Sequence, residues 1–175
     1  MLFPLYDRNP HHRFPVITVL LIAANVFFFW QSIQDGPRGF AETVYTRGFI
    51  PQRLTRLGEA EPVLVEEKIE DRRGQQFVVQ RQLSTTTEEV YPTLLSMMFL
   101  HGGWLHLISN MWMLWVFGDN VEDRLGRFVY VFFYLVGGLL AVLTHWFIDP
   151  MSTQPVIGAS GAVAAVLGDP GSLSR

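Results

Sequence analysis

Residues 128–148 read FVYVFFYLVGGLLAVLTHWFI, twenty-one consecutive positions without Asp, Glu, Lys or Arg. A helix of that length crosses the roughly 30 Å hydrocarbon core of a bilayer. Residues 14–34 (FPVITVLLIAANVFFFWQSIQ) repeat the pattern. Backbone polar groups in hydrocarbon are satisfied only inside helices or closed barrels, so the two runs predict an all-α, polytopic membrane bundle. The first run is too long and too aromatic for the apolar core of a signal peptide, and further apolar segments follow it; it is read as a retained span.

A third uncharged stretch, residues 90–118, is long enough to span and carries His101, His106, Ser109 and Asn110 among Leu, Met, Trp and Phe. The last apolar run, residues 156–168, is only about 20 Å long as a helix, too short to cross. It passes abruptly into Asp169-Pro170-Gly171-Ser172-Leu173-Ser174-Arg175, a breaker-rich tail with no helical pattern. The expectation is one membrane domain over residues 1–168, with spans at about 14–34, 92–118, 128–148 and 156–168, a soluble insertion at 35–89, and a polar tail at 169–175. The short last run is read as a helix cut off by truncation or a frameshift.

Residues 35–89 hold eight of the thirteen basic and ten of the sixteen acidic residues, which predicts a water-exposed insertion. Within it, Val63-Leu64-Val65 and Phe77-Val78-Val79 flank Asp71-Arg72-Arg73-Gly74, the pattern of a small β-hairpin. Asp119 to Arg127 is expected to be a charged loop between spans. Arg8, Arg13, Arg124 and Arg127 mark one side of the membrane, and residues 149–155 carry no Lys or Arg, so the N-terminus is expected to be cytoplasmic. A net charge of −3 without a dense basic cluster argues against nucleic acid, and the absence of cysteine excludes disulfides and thiolate chemistry.

Polar side chains at membrane depth are functional candidates by default. Ser160, in Gly158-Ala159-Ser160-Gly161-Ala162, is expected near a helix N-terminus, where unpaired N–H groups favour developing negative charge. The small neighbours would admit a substrate backbone, and the Ser160 or Gly161 amide is a candidate oxyanion donor. Equally, Gly158, Ala162, Ala165 and Gly168 suit a small-residue seam between helices. His106 and Asn110 are four apart, so on a helix they share a face and both can donate hydrogen bonds, either to an oxyanion or between helices. His101, beside Gly102-Gly103, is expected in an interfacial turn. His145 next to Trp146 reads as an interfacial residue. A metal site is disfavoured: His-x-x-x-His spacing is missing and no carboxylate lies nearby in sequence.

Three ordered motifs, His101-Gly-Gly-Trp-Leu-His106-Leu-Ile-Ser-Asn110, then Phe117-Gly118-Asp119-Asn120-Val121-Glu122-Asp123-Arg124-Leu125-Gly126, then Gly158-Ala-Ser160-Gly-Ala, resemble the rhomboid intramembrane serine proteases. Arg47-Gly48-Phe49-Ile50-Pro51 is similar to the start of that family's first loop. The resemblance covers the first four of about six spans. It implies Ser160 as nucleophile, His106 and Asn110 as oxyanion stabilisers, structural roles for Gly158, Gly161, Glu122 and Arg124, and transmembrane proteins in the bilayer as substrates, with no cofactor. It also implies a Ser-His dyad whose histidine follows the serine. No histidine follows Ser160 in this sequence, so residues 1–175 by themselves are expected to be proteolytically inactive. The rival readings are a non-catalytic rhomboid-like protein that binds transmembrane helices and, less favoured for want of a carboxylate inside a span, a small channel or transporter.

Overall fold

The computed structural model describes residues 14–70 and 76–168. The expected Asp71-Arg72-Arg73-Gly74 turn, Arg8, Arg13 and the 169–175 tail lie outside them. Helix α1 (Val16–Ile33) is followed by α2 (Gly36–Arg47), α3 (Pro51–Thr55), the strands β1 (Val63–Glu70) and β2 (Gln76–Leu83), and the short α4 (Thr87–Val90) and α5 (Thr93–Ser96). A 3-10 turn (Met97–Phe99) leads to α6 (Trp104–Leu125), α7 (Arg127–Ile148) and α8 (Ser160–Gly168).

Two helices, α1 and α7, are long and apolar enough to cross a membrane. Their polarity is inverted relative to a water-soluble helix. On α1 the buried stripe is Thr18, Asn25, Phe29 and Ser32, whereas Leu20, Phe27 and Trp30 face outward. Two of the inner polar groups donate back to their own helix, Asn25 Nδ2 to Leu21 O at 2.7 Å and Ser32 Oγ to Phe29 O at 2.7 Å, while Asn25 Oδ1 is buried without a partner. On α7 Tyr130, Tyr134, Gly138 and Val142 are buried, while Phe128, Phe132, Leu140 and Phe147 are exposed. An apolar surface of that extent suits lipid, not water.

The stretch expected as one span over residues 92–118 is two structures. Pro92 and the Gly102-Gly103 pair break it, so residues 87–99 fold as short helical turns and α6 begins only at Trp104. Nor is 119–127 a loop: α6 runs to Leu125, and Gly126 (φ +78°) alone joins it to α7. The helix continues because its period is kept. Met111, Leu114, Gly118, Val121 and Glu122 share a buried face, with Trp104, Leu105, Ile108, Trp112 and Trp115 along the exposed one.

Glu122 is 4% exposed and explains the start of α1. Pro15 precedes that helix and has no side chain able to cap it. Instead, Glu122 Oε1 accepts from Ile17 N (3.0 Å) and Oε2 from Thr18 N (2.9 Å) and Thr18 Oγ1 (3.0 Å). A carboxylate at a helix N-terminus is favoured both by the orphan N–H groups and by the helix dipole. Thr18 and Tyr130 Oη close over Gly118, where an added Cβ would lie 2.6 Å from Tyr130 Oη.

Helix α8 packs on α7 through facing small residues. A Cβ on Gly137 would lie 2.5 Å from that of Ala165, and one on Gly161 would lie 2.4 Å from that of Ala141. These are small-x-x-x-small pairs on both helices, the pattern that lets membrane helices touch.

The insertion holds the expected hairpin, antiparallel from Val63↔Leu83 to Glu70↔Gln76, together with α2 and α3, which were not foreseen. Val63, Val65 and Leu83 form a small core with Ile50, flanked by Tyr45. Buried Arg53 ties α3 to the end of the hairpin, donating from Nε to Ser84 O (2.7 Å) and from Nη2 to Glu89 Oε2 (3.2 Å). Burial pulls its guanidinium pKa below the ordinary range, and Glu89 partly offsets this. Arg81 bridges Glu67 and Glu42, joining β2 to α2.

Glu122→Gln, which keeps the shape but offers one acceptor oxygen in place of two, is expected to lower stability by about 1–3 kcal/mol in detergent unfolding. Gly161→Leu is expected to lower it by about 1–3 kcal/mol or more through overpacking of the α7–α8 seam, while Gly168→Leu, whose added Cβ meets nothing within 4 Å, stays near wild type in the same measurement.

Candidate active site

Ser160 opens α8 and is exposed. The segment leading to it is extended. Val156 pairs with Phe49 in an isolated antiparallel bridge, with Val156 N donating to Phe49 O (2.7 Å) and Phe49 N to Val156 O (3.1 Å). Gly158 N then donates to Met97 O (2.8 Å). Val163 N bonds Ala159 O, so α8 begins by leaving the Ser160, Gly161 and Ala162 N–H groups without an acceptor inside the helix. Donors of that kind beside a serine hydroxyl suit a negatively charged oxygen.

Gly158 has φ +117°, a conformation L side chains rarely adopt, and its free Cβ position is the meeting point of the site. A Cβ there would lie 2.7 Å from His106 Cε1, 2.8 Å from His106 Nε2 and 3.7 Å from Ser160 Oγ. Residues fifty-four apart in sequence therefore border one small space. Gly158 acts here as a hole for the imidazole and not as a seam residue. Gly161 does the reverse: its missing Cβ admits Ala141 of α7, not a substrate.

His106 lies in the first turn of α6. Its Nδ1 accepts from Gly102 N at 3.3 Å, which puts the imidazole hydrogen on Nε2, the atom facing Gly158. In that tautomer the Nε2–H is a donor on the side of Gly158. Asn110 is buried, and its Nδ2 donates to His106 O at 3.0 Å, one turn back along the helix. The second N–H of that amide is its remaining donor. Among the described residues no hydrogen bond joins Ser160 to His106 or to Asn110.

His101 lies in the non-helical segment ahead of α6 and is fully buried; its ring lies edge-on to His106, with centroids 5.2 Å apart. The Phe99 carbonyl lies near that ring without a hydrogen bond of ordinary geometry, so both ring nitrogens lack a protein partner. His145 is exposed at the end of α7. Glu122 and exposed Arg124 sit at the opposite end of α6, in its last turn and not in a loop.

Sequence reasoning missed Gly102, whose amide sets the His106 tautomer, and Phe49, whose backbone holds the strand before the serine. The Gly102-Gly103 pair and the Arg47-Gly48-Phe49-Ile50-Pro51 run were the available signals.

Comparison with known proteins bears on this arrangement. Residues 88–169 match the family described as the Rhomboid domain. Rhomboid-like protein 11, chloroplastic, from Arabidopsis thaliana is 43% identical over 65 residues, which cover 37% of this chain and 23% of that protein. RHOMBOID-like protein 5 from the same plant is 36% identical over 75 residues, 43% of this chain and 24% of the relative. Presenilin-associated rhomboid-like protein A, mitochondrial, from Danio rerio is 31% identical over 71 residues, 39% of this chain and 18% of the relative. The chain thus spans less than a quarter of the length of these relatives. The matched segment runs from α4 to the end of α8 and contains His106, Asn110, Glu122 and Ser160, and this domain match together with the rhomboid-like relatives supports the chain as a member of the rhomboid family.

Proposed function

We propose that the protein supplies the nucleophile and the oxyanion-binding half of an intramembrane serine endopeptidase acting on transmembrane proteins. The carrying observation is the convergence of His106 Nε2 and Ser160 Oγ on the Gly158 Cβ position. Ser160 Oγ attacks the peptide carbonyl, and its proton passes to a base. The carbonyl oxygen becomes an oxyanion held by His106 Nε2–H, the Asn110 amide and first-turn amides of α8. The C–N bond then breaks, the amine leaves with the proton, and water hydrolyses the Ser160 ester.

The Gly102 hydrogen bond leaves His106 unsuited to be the base. In line with the family resemblance, that role goes to a histidine following the serine. The end of the bundle bearing Arg124 and Arg127 faces the cytoplasm, and the site opens at the opposite end, beside the insertion.

The test is cleavage of a transmembrane substrate in liposomes. Residues 1–175 alone are expected to give no Ser160-dependent product, and a chain that continues through such a histidine-bearing helix is expected to cleave, with Ser160→Ala abolishing turnover. In the cleaving chain, His106→Ala is expected to lower kcat by about 10²–10³-fold, the usual effect of losing one oxyanion donor. If the longer chain neither cleaves nor reacts at Ser160 with a fluorophosphonate, the non-catalytic helix-binding reading replaces this one.

Gly158→Ala places a methyl group 2.8 Å from His106 Nε2 at a φ that opposes it. It is expected to reduce cleavage at least as much as His106→Ala while leaving thermal unfolding within about 2 kcal/mol of wild type.

A further inference from the structure

The insertion does not hang free of the site. Phe49 pairs by both backbone groups with Val156, two residues before Gly158. A Cβ on Gly48 would touch Ile157 Cγ2 at 3.0 Å and Pro155 Cβ at 3.3 Å. Farther along, Gln52 N donates to Ser152 O (3.1 Å), Thr55 Oγ1 to Pro150 O (2.6 Å), and Trp146 Nε1 to Thr55 Oγ1 (2.9 Å). The connector from α7 is thereby laid against residues 48–55 from Pro150 to Ile157, and Gly158 N is bound in addition by Met97 O.

Residues 48–55 are held in turn by the hairpin. Ile50, next to Phe49, is 1% exposed, and Val63, Val65 and Leu83 are the buried residues that cover it. Arg53, one turn further, bonds the carbonyl of Ser84 just past β2. A two-stranded hairpin is marginal alone, so its order and that of Ile50 depend on each other.

We propose that the β1–β2 hairpin is a positioning element for the nucleophile: through Ile50 and Phe49 it fixes the strand that ends at Gly158 and Ser160. A load placed on the hairpin from outside the membrane is then felt at the serine. The catalytic consequence rests on Ser160 being the nucleophile; the mechanical link does not, and the two are tested apart.

Site-resolved hydrogen exchange on residues 1–175 in lipid nanodiscs tests the link without any turnover. Val65→Asp, which buries a charge in the small core, is expected to raise exchange at the Val65 amide and, by about tenfold or more, at the Val156 amide. Amides of α1 and α7 keep their protection, Val65→Ile restores the wild-type pattern, and Val78→Asp on the exposed face changes nothing at Val156. A hairpin that opens while Val156 stays protected overturns the proposal. Where Val65→Asp also opens α1 or α7, Arg53→Gln, which frees only the base of the hairpin, decides in the same way. In the cleaving chain, Val65→Asp is expected to lower kcat about tenfold with KM changed by less than about twofold. A change confined to KM would mean that the hairpin binds substrate and does not position Ser160, and it too overturns the proposal.

Discussion

The buried carboxylate of Glu122 is the constraint from which the bundle is built. It accepts three hydrogen bonds from the first turn of α1, with Thr18 lying against Tyr130 of α7, so one side chain on α6 sets the height and angle of its neighbours. A charge taken out of water is tolerated only when its lone pairs are filled. Helix N–H groups otherwise orphaned at the start of α1 fill them, which removes two desolvation penalties with one contact. Apolar packing along α1, α6 and α7 has no comparable directionality, because lipid tails solvate Leu and Phe as well as another helix does. Register must come from such polar contacts and from close approaches at Gly118, Gly137, Gly138 and Gly161.

With α6 placed in this way, its first turn falls beside the start of α8. The site is built from features that are each modest: a helix N-terminus, a histidine locked by a neighbouring amide, and a glycine whose left-handed backbone leaves room for the ring. Their combination makes the space next to Ser160 rich in donors and poor in acceptors. Such a space suits a negatively charged oxygen better than it activates a hydroxyl.

The parts of the fold legible in the sequence were those whose signal is one-dimensional. Uninterrupted apolar length marked α1 and α7, alternation around a turn marked the hairpin, and a serine among small residues marked the start of α8. Where charge was read as exposure, the reading went wrong. Asp119, Glu122 and Asp123 looked like a loop because three acids in five positions normally face water, yet the helical period puts Glu122 on the same face as Gly118 and Leu114. The break at residues 100–103 was masked in the opposite way, since uncharged residues fill it although the backbone there is not helical. His106 and Ser160 were marked by their motifs, but their common border at Gly158 depends on a φ and a close approach that no local pattern encodes. The link from Phe49 to Val156 joins backbones, so the Arg47-Gly48-Phe49-Ile50-Pro51 run marked the segment but not its partner.

Gly126 is the whole connection between α6 and α7. With a single residue between them the two helices have no spare contour length for sliding, and their relative motion reduces to a scissoring about that point. Each arm is 22 residues, or about 33 Å. A change of only about 5° at the pivot therefore moves the far tips by about 3 Å. Those tips carry His106 on one arm and the connector to Ser160 on the other, so a small rotation at Gly126 is felt most in the distance between these two side chains.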